Sequence, residues 1–307
     1  MLNLIENTVT KIDELIKEHL PESKYQFELY DLTTDTRHFR GYDEPFHWAS
    51  VYKLFLVAEI IKMAEDGVLN LDDQIMLHKD LYTRGSCVTR YLTYLDELTY
   101  LDACKMAIAT SDALCADELL AVVGINRFNE LFNKANCTSS NLYWNLNDLM
   151  AKVLLAAKVD IRKGHFLGTE EFFSVYKTTF DEILQKNYTH VKDLNNCWHF
   201  ILNVYLNEKY AEVFKECFQL NNVYSRLTPY TEFSKFGLFG KTGQLFLSIV
   251  NNEIGAITNK YTKTIYGYFS ILTKDNRVRF FQSCDAFALI GLELAGLYEK
   301  LYETKLI

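Results

Sequence analysis

Strand-forming sequence stands at both ends of this chain, separated by a long helical block, so any sheet must be closed by segments far apart in sequence. Tyr25 to Tyr30 alternates apolar and polar residues, as a half-buried strand does. Asp31, Thr33, Thr34 and Asp35 supply turn chemistry, and Thr36 to Tyr42 returns as the second strand of a hairpin. Strand character resumes only after Phe233, in Phe236 to Lys241, Leu247 to Ile257 and Thr264 to Leu272, all rich in aromatic and β-branched residues. Between them the pattern is helical from Ser50 to about Asn222. Its clearest segments are Leu54 to Met63 before Gly67, then Leu101 to Ala109, Ala116 to Val123, Leu149 to Ala157 and Phe172 to Leu184. Helices also open and close the chain: Leu4, Ile5, Val9, Ile12, Leu15, Ile16 and Leu20 fall at helical spacing, and Ala286 to Tyr302 ends it. This order predicts segregated α+β architecture rather than alternating βαβ units. One domain over 1–307 is expected, with a sheet lobe from 1–47 and 231–307 and a helical lobe from 48–230.

Composition narrows the partners. The chain has 307 residues, 49% hydrophobic and 23% charged, enough for a sizeable core. Its net charge of −8 gives no electrostatic reason to expect nucleic acid or an anionic membrane surface. Glu6, Lys11, Asp13, Glu14, Lys17 and Glu18 interrupt the opening segment, which therefore lacks the apolar run of a secretory signal. No stretch has the uncharged length that spans a bilayer, so a cytoplasmic location is expected unless a leader has been trimmed. Seven cysteines, odd in number and without a Cys-x-x-Cys pair, read as reduced thiols rather than as a zinc site.

Three short strings carry chemistry: Ser50-Val51-Tyr52-Lys53, Ser111-Asp112-Ala113 and Lys241-Thr242-Gly243. Ser50 opens an apolar helix, and Lys53 lies one turn on, on the same face. A helix N-terminus favours a developing oxyanion. A serine hydroxyl needs a neighbour to take its proton, and Lys53 can do so only when neutral, which requires desolvation or a nearby cation. Ser111 brings a second hydroxyl that could pass a proton to a leaving nitrogen. Equally, Ser111 or Asp112 could simply cap the helix containing Leu114 and Leu119. Singly these strings are weak: Ser-x-x-Lys is common on solvated helices and Lys-Thr-Gly is an ordinary turn tripeptide.

Together, and in this order, they resemble the Ser-x-x-Lys, Ser-Asp-Asn and Lys-Thr-Gly motifs of class A β-lactamases and penicillin-binding proteins. The separation of Ser50 from Ser111 is close to the class A value, and the resemblance runs over nearly the whole chain from about Tyr25. It implies a serine β-lactamase/transpeptidase-like fold, with an antiparallel sheet from both chain ends, flanking helices and an all-helical lobe. The active site would lie between the lobes. The resemblance makes Ser50 the nucleophile, Lys53 its base and Ser111 the proton relay. Lys241, Thr242 and Gly243 would bind substrate, with Lys241 as the cation that lowers the pKa of Lys53. The N–H groups of Ser50 and Gln244 would form the oxyanion hole. Neither metal nor organic cofactor is required.

The departures are as informative. Ala113 replaces the asparagine that holds a substrate's acylamino side chain. No glutamate lies between Leu131 and Thr169, where class A enzymes carry the one that activates the deacylating water. Tyr143 to Asn147 faintly resembles that loop, and Asp148 reads as a cap for the helix that follows. The surplus over class A length falls between Val159 and Tyr230, with Trp198, His199, Tyr205, Tyr210 and Tyr224 read as core before ligand contacts. His199 is a weak alternative base.

The expected function is a serine hydrolase. It acts on an amide or ester bond of a peptide-like or β-lactam-like small molecule through an acyl-enzyme on Ser50, with slow deacylation of β-lactams. Alternatives are a true β-lactamase or D-Ala-D-Ala-type peptidase or acyltransferase, and a non-catalytic ligand-binding member. Native substrate, acyl acceptor and oligomeric state are not legible at this level.

Overall fold

A computed structural model describes residues 1–79, 87–156, 182, 186–220, 226–227, 231, 234–245, 250–275 and 280–303. The opening amphipathic segment forms α1 (Leu2–His19), which buries Ile5, Val9, Ile12 and Ile16. Two strands follow, β1 (Lys24–Asp31) and β2 (Thr36–Gly41), as an antiparallel hairpin. Asp31 Oδ1 shapes the turn by accepting the N–H groups of Thr33 (3.0 Å) and Thr34 (2.8 Å). The C-terminal strands β7 (Phe236–Leu245), β8 (Val250–Asn259) and β9 (Ile265–Lys274) complete a five-stranded antiparallel sheet in the order β2-β1-β9-β8-β7. The two chain ends meet where β1 pairs with β9. On one face, α1 and the last helix α9 (Phe280–Glu303) enclose a core that includes Val9, Phe27, Ile271, Phe287 and Leu294.

The helical lobe covers the other face, which changes what β1 is. Seven of its eight residues are buried, so it is not half-solvated as its alternation predicts. Its polar members meet protein instead of water. Gln26 Oε1 accepts from the N–H of Val191 (3.2 Å), and Glu28 holds Arg37 (2.9 Å) and Asn195 (3.1 Å). Buried polar groups persist where such partners exist.

At the centre of the helical lobe runs α2 (Tyr52–Glu65), apolar on nearly every side and buried at twelve of its fourteen positions. Its neighbours include α3 (Tyr100–Ala109), α4 (Ala113–Val123), α5 (Ile125–Lys134) and α8 (Glu208–Gln219). Even Glu59 is enclosed, its carboxylate bonded to Arg127 Nε and the Tyr205 hydroxyl, both at 2.7 Å. Trp48, Phe55, Phe128 and Phe132 interlock at one end of α2, with ring centroids 5.0–6.1 Å apart.

The remaining elements are α6 (Leu146–Ala156), α7 (Val191–Phe200) and four short strands. Among these, β3 (Phe46–His47) pairs with β6 (Tyr188–Thr189), and β4 (Gln74–Met76) with β5 (Glu97–Thr99). Strands of two or three residues are too brief for a period-two pattern, so the sequence does not mark them. Within the long segment after Val159, α7 and α8 are helical, and Trp198 is core, edge-on to Phe218. The expected helix Phe172 to Leu184 and Tyr224 lie outside the described residues, apart from residue 182. Among the described residues, no helix is long and apolar enough to cross a membrane.

The aromatic cluster at the head of α2 should dominate local stability. Phe132→Ala is expected to cost about 3–5 kcal/mol in urea unfolding, because the closed cluster cannot collapse onto the void.

Candidate active site

Ser50 stands in a single 3₁₀ turn, Ala49–Val51, that runs directly into α2. It is thus not yet in the α-helix that the spacing predicts, whereas Lys53 belongs to the first α-helical turn. Ala49 is in the left-handed region with φ 44°, an unfavourable conformation for a residue with a Cβ. Neighbouring bonds hold it there. His47 Nδ1 accepts the Ala49 N–H (2.9 Å), and Asn252 Nδ2 on β8 donates to the carbonyls of His47 (2.8 Å) and Trp48 (3.0 Å). Burial depresses the His47 imidazole to a pKa of about 3, so it stays neutral and keeps that acceptor.

The third motif lies inside β7, which extends beyond the predicted Lys241 to Leu245. Glycines blurred that signal, yet they allow the approach. A Cβ on Gly243 would sit 3.0 Å from Val51 Cγ1 and 3.1 Å from Ser50 N. The strand edge is therefore pressed against the Ser50 turn. Gln244 follows on β7, exposed and opposite Asn251.

Lys53 is fully buried and reaches the second motif. Its Nζ donates to the Ser111 carbonyl at 2.6 Å and lies 3.3 Å from Ser111 Oγ. Ser111, at φ 56°, turns back toward the lysine, and the cap of α4 is Asp112. The Asp112 carboxylate accepts the N–H groups of Cys115 (3.1 Å) and Thr89 (2.9 Å). Ala113 is buried, leaving no side-chain amide at that position. Among the described residues, the Ser50 hydroxyl makes no hydrogen bond.

Two amines share this interior. Burial lowers Lys53 to about 8, opposed first by the charge of Asp117 and then by that of Asp112. Lys241, fully buried with Nζ on the Thr242 carbonyl (2.7 Å), is held well below the usual lysine range by burial and then by Lys53. Desolvation, rather than a cationic Lys241, is thus the main force that lowers Lys53. Behind it, Glu253 is raised by burial and bonded to Arg226 Nε (3.2 Å).

The loop before α6 differs from expectation in one detail. Asn145 is its cap, with Oδ1 accepting the N–H of Asp148 (2.7 Å), so Asp148 sits inside the first turn instead of capping it. The amide of Asn187 fastens the preceding segment, accepting from Tyr143 (2.9 Å) and Trp144 (3.0 Å) and donating to the Trp144 carbonyl (2.9 Å). Asp117 was hidden in the sequence, where it stands beside Glu118 in the otherwise apolar α4 and nothing local sets it apart. His199 stands away from these contacts, packed edge-on against Tyr30 and Tyr268. Among the described residues, no group of three or more His, Cys, Asp or Glu side chains could hold a metal ion.

A buried amine beside a turned-in serine, with a glycine-bearing strand against the Ser50 turn, brings the three motifs together in one place. The profile of the Beta-lactamase enzyme family matches residues 7–296. The chain belongs to that family. Its fold is similar to that of PBP-A in an acyl-enzyme complex with penicillin G, at TM-score 0.72 and 15% identity over 96% of this chain and 97% of the other. A class A β-lactamase from Bacteroides cellulosilyticus gives TM-score 0.74 at 14% identity, over 96% and 98% of the two chains. A β-lactamase from Sphaerobacter thermophilus gives 0.72 at 17%, over 96% and 97%. No curated protein sequence matches it.

Because Gly243 borders Ser50 N, Gly243→Ala is expected to push β7 off the Ser50 turn. The rate of Ser50 modification by an acylating probe should fall about tenfold or more, with the melting temperature changed far less. Intact-mass time courses read the first quantity and differential scanning fluorimetry the second.

Proposed function

We propose that this β-lactamase-family protein is a serine hydrolase that opens an amide or ester bond of a peptide-like or β-lactam-like small molecule through an acyl-enzyme on Ser50. The observation that carries the reading is the Lys53 amine, fully buried and bonded to Ser111 in the first helical turn after Ser50. In its neutral form, Lys53 takes the Ser50 proton as Oγ attacks the acyl carbonyl. The carbonyl oxygen becomes an oxyanion, received by the N–H groups of Ser50 and Gln244. The proton then passes by way of Ser111 Oγ to the leaving nitrogen or oxygen as its bond to carbon breaks, leaving an ester on Ser50. Thr242 and Lys241 present a hydroxyl and an amine to a substrate carboxylate. Water, or an amine, then releases the acyl group.

Release from β-lactams is expected to be slow. No glutamate stands in the segment that enters α6, where a water-activating one would be needed, and the Asn145 side chain there is engaged in capping the helix. The penicillin acyl-enzyme of the structurally similar PBP-A supports the same class of chemistry. Seven free cysteine thiols support action in a reducing setting.

Incubation with a fluorescent penicillin should yield a covalent adduct that intact-mass analysis detects and that Ser50→Ala eliminates. Rapid nitrocefin turnover without an accumulating adduct would refute slow release, and no adduct with any penicillin or activated ester would refute the hydrolase itself. The acylation rate should also depend on pH. Neutral Lys53 is the active form and its pKa is about 8, so the rate rises with pH toward a plateau above that value. Below it, the rate falls about tenfold per pH unit.

A further inference from the structure

Asn252 lies inside β8, fully buried, and its carboxamide is bonded at both polar atoms. Nδ2 donates to the carbonyls of His47 (2.8 Å) and Trp48 (3.0 Å), and Oδ1 accepts the N–H of Thr273 on β9 (3.2 Å). These partners fix its orientation, since a flipped amide would set its oxygen against two carbonyls and its NH2 against an N–H. In the sheet register Asn252 stands opposite Gly243, the residue pressed against Ser50 N. Of this facing pair, one residue borders the Ser50 turn and the other grips the chain that leads into it.

The grip falls just before the strained position. The His47 and Trp48 carbonyls precede Ala49, whose φ of 44° belongs to the region that favours glycine. The Trp48 carbonyl also accepts the N–H of Val51 (3.3 Å), the bond that closes the single turn around Ser50. A lone 3₁₀ turn has poor hydrogen-bond geometry, and a left-handed alanine ahead of it is unfavourable. Bonds from outside must therefore hold both. His47 Nδ1 supplies one, to the Ala49 N–H, but from within the same segment. The two from Asn252 reach it from the sheet.

We infer that Asn252 is a positioning residue for acyl transfer, one that keeps Ala49 left-handed and so sets the direction of the Ser50 N–H and hydroxyl. The inference rests on the reading of Ser50 as the nucleophile. Asn252 acts through the His47 and Trp48 carbonyls and not on the substrate. Its loss should slow attack on the acyl carbonyl without weakening binding, because misplacing a reacting group by about 1 Å can cost about a hundredfold in rate.

The test measures acylation by a fluorescent penicillin over a range of probe concentrations. In Asn252→Ala the maximal rate should fall about tenfold or more, while the half-saturating concentration stays within about twofold of wild type. Adding Ala49→Gly to that variant should recover about threefold or more, because glycine takes up the left-handed conformation without help. The same change in the wild-type protein should bring no gain. An unchanged rate in a folded Asn252→Ala protein, a loss confined to half-saturation, or no recovery with Ala49→Gly would each overturn the inference. Hydrogen exchange over residues 47–51, read by mass spectrometry, answers independently of acylation. It should quicken about tenfold or more in Asn252→Ala, and an unaltered rate of exchange also overturns the idea. Should that variant not fold, the wild-type protein decides by NMR. The Asn252 carboxamide protons should exchange as slowly as the neighbouring sheet amides, and exchange as fast as that of a solvent-exposed asparagine overturns the clamp. A wild-type protein that no probe acylates refutes the proposed hydrolase, whereas exchange over 47–51 still answers for Asn252.

Discussion

A primary amine held in a dry interior is the constraint on which this structure turns. Lys53 is carried by a helix with almost no solvent-facing side, so its ammonium form loses hydration that only a few partners replace. The Ser111 carbonyl is the closest of these, and the carboxylates of Asp117 and Asp112 oppose the burial from a greater distance. The balance brings the amine within reach of neutrality under ordinary conditions. Any element that admitted water to α2 would return Lys53 toward an ordinary lysine.

Precision at Ser50 comes from the opposite direction, from the sheet. Asn252 on β8 takes hold of the two carbonyls before the Ala49 turn, and β7 presses its glycine edge against the N–H of Ser50. The strained φ of Ala49 is tolerated because these contacts over-determine it. Ser50 therefore depends on both ends of the chain. Its backbone is fixed by the C-terminal strands while Lys53 is held in the helical core, so sequence-distant segments must fold together before the two are juxtaposed.

Much of the architecture was legible because its periodicities are long. The α1 stripe, the hairpin at Asp31 and the three closing strands each offer enough residues for the pattern to be read. Where the signal was misleading, a tertiary neighbour had altered its meaning. Gln26 and Glu28 alternate with apolar residues as though facing solvent, yet both are buried and each has a hydrogen-bond partner on α7. Asn145 took the cap expected of Asp148, since either short polar side chain can serve and only the loop path held by Asn187 selects between them. Asp117 carried no pattern at all. Its carboxylate accepts the N–H groups of Leu146 and Asn147 only once α6 arrives beside α4, which a local reading of α4 cannot contain.

The sequence by itself determined the order of elements, the segregation of strands from helices, and the three motifs that supply two serine hydroxyls and two lysine amines. These depend on residue type and short spacing, both of which survive in a linear string. Tertiary structure alone decided that both amines are buried, which carboxylates oppose that burial at Lys53, and how closely β7 approaches Ser50. Such quantities are set by desolvation and by charges across sequence-distant contacts, and neither exists until the lobes close on each other.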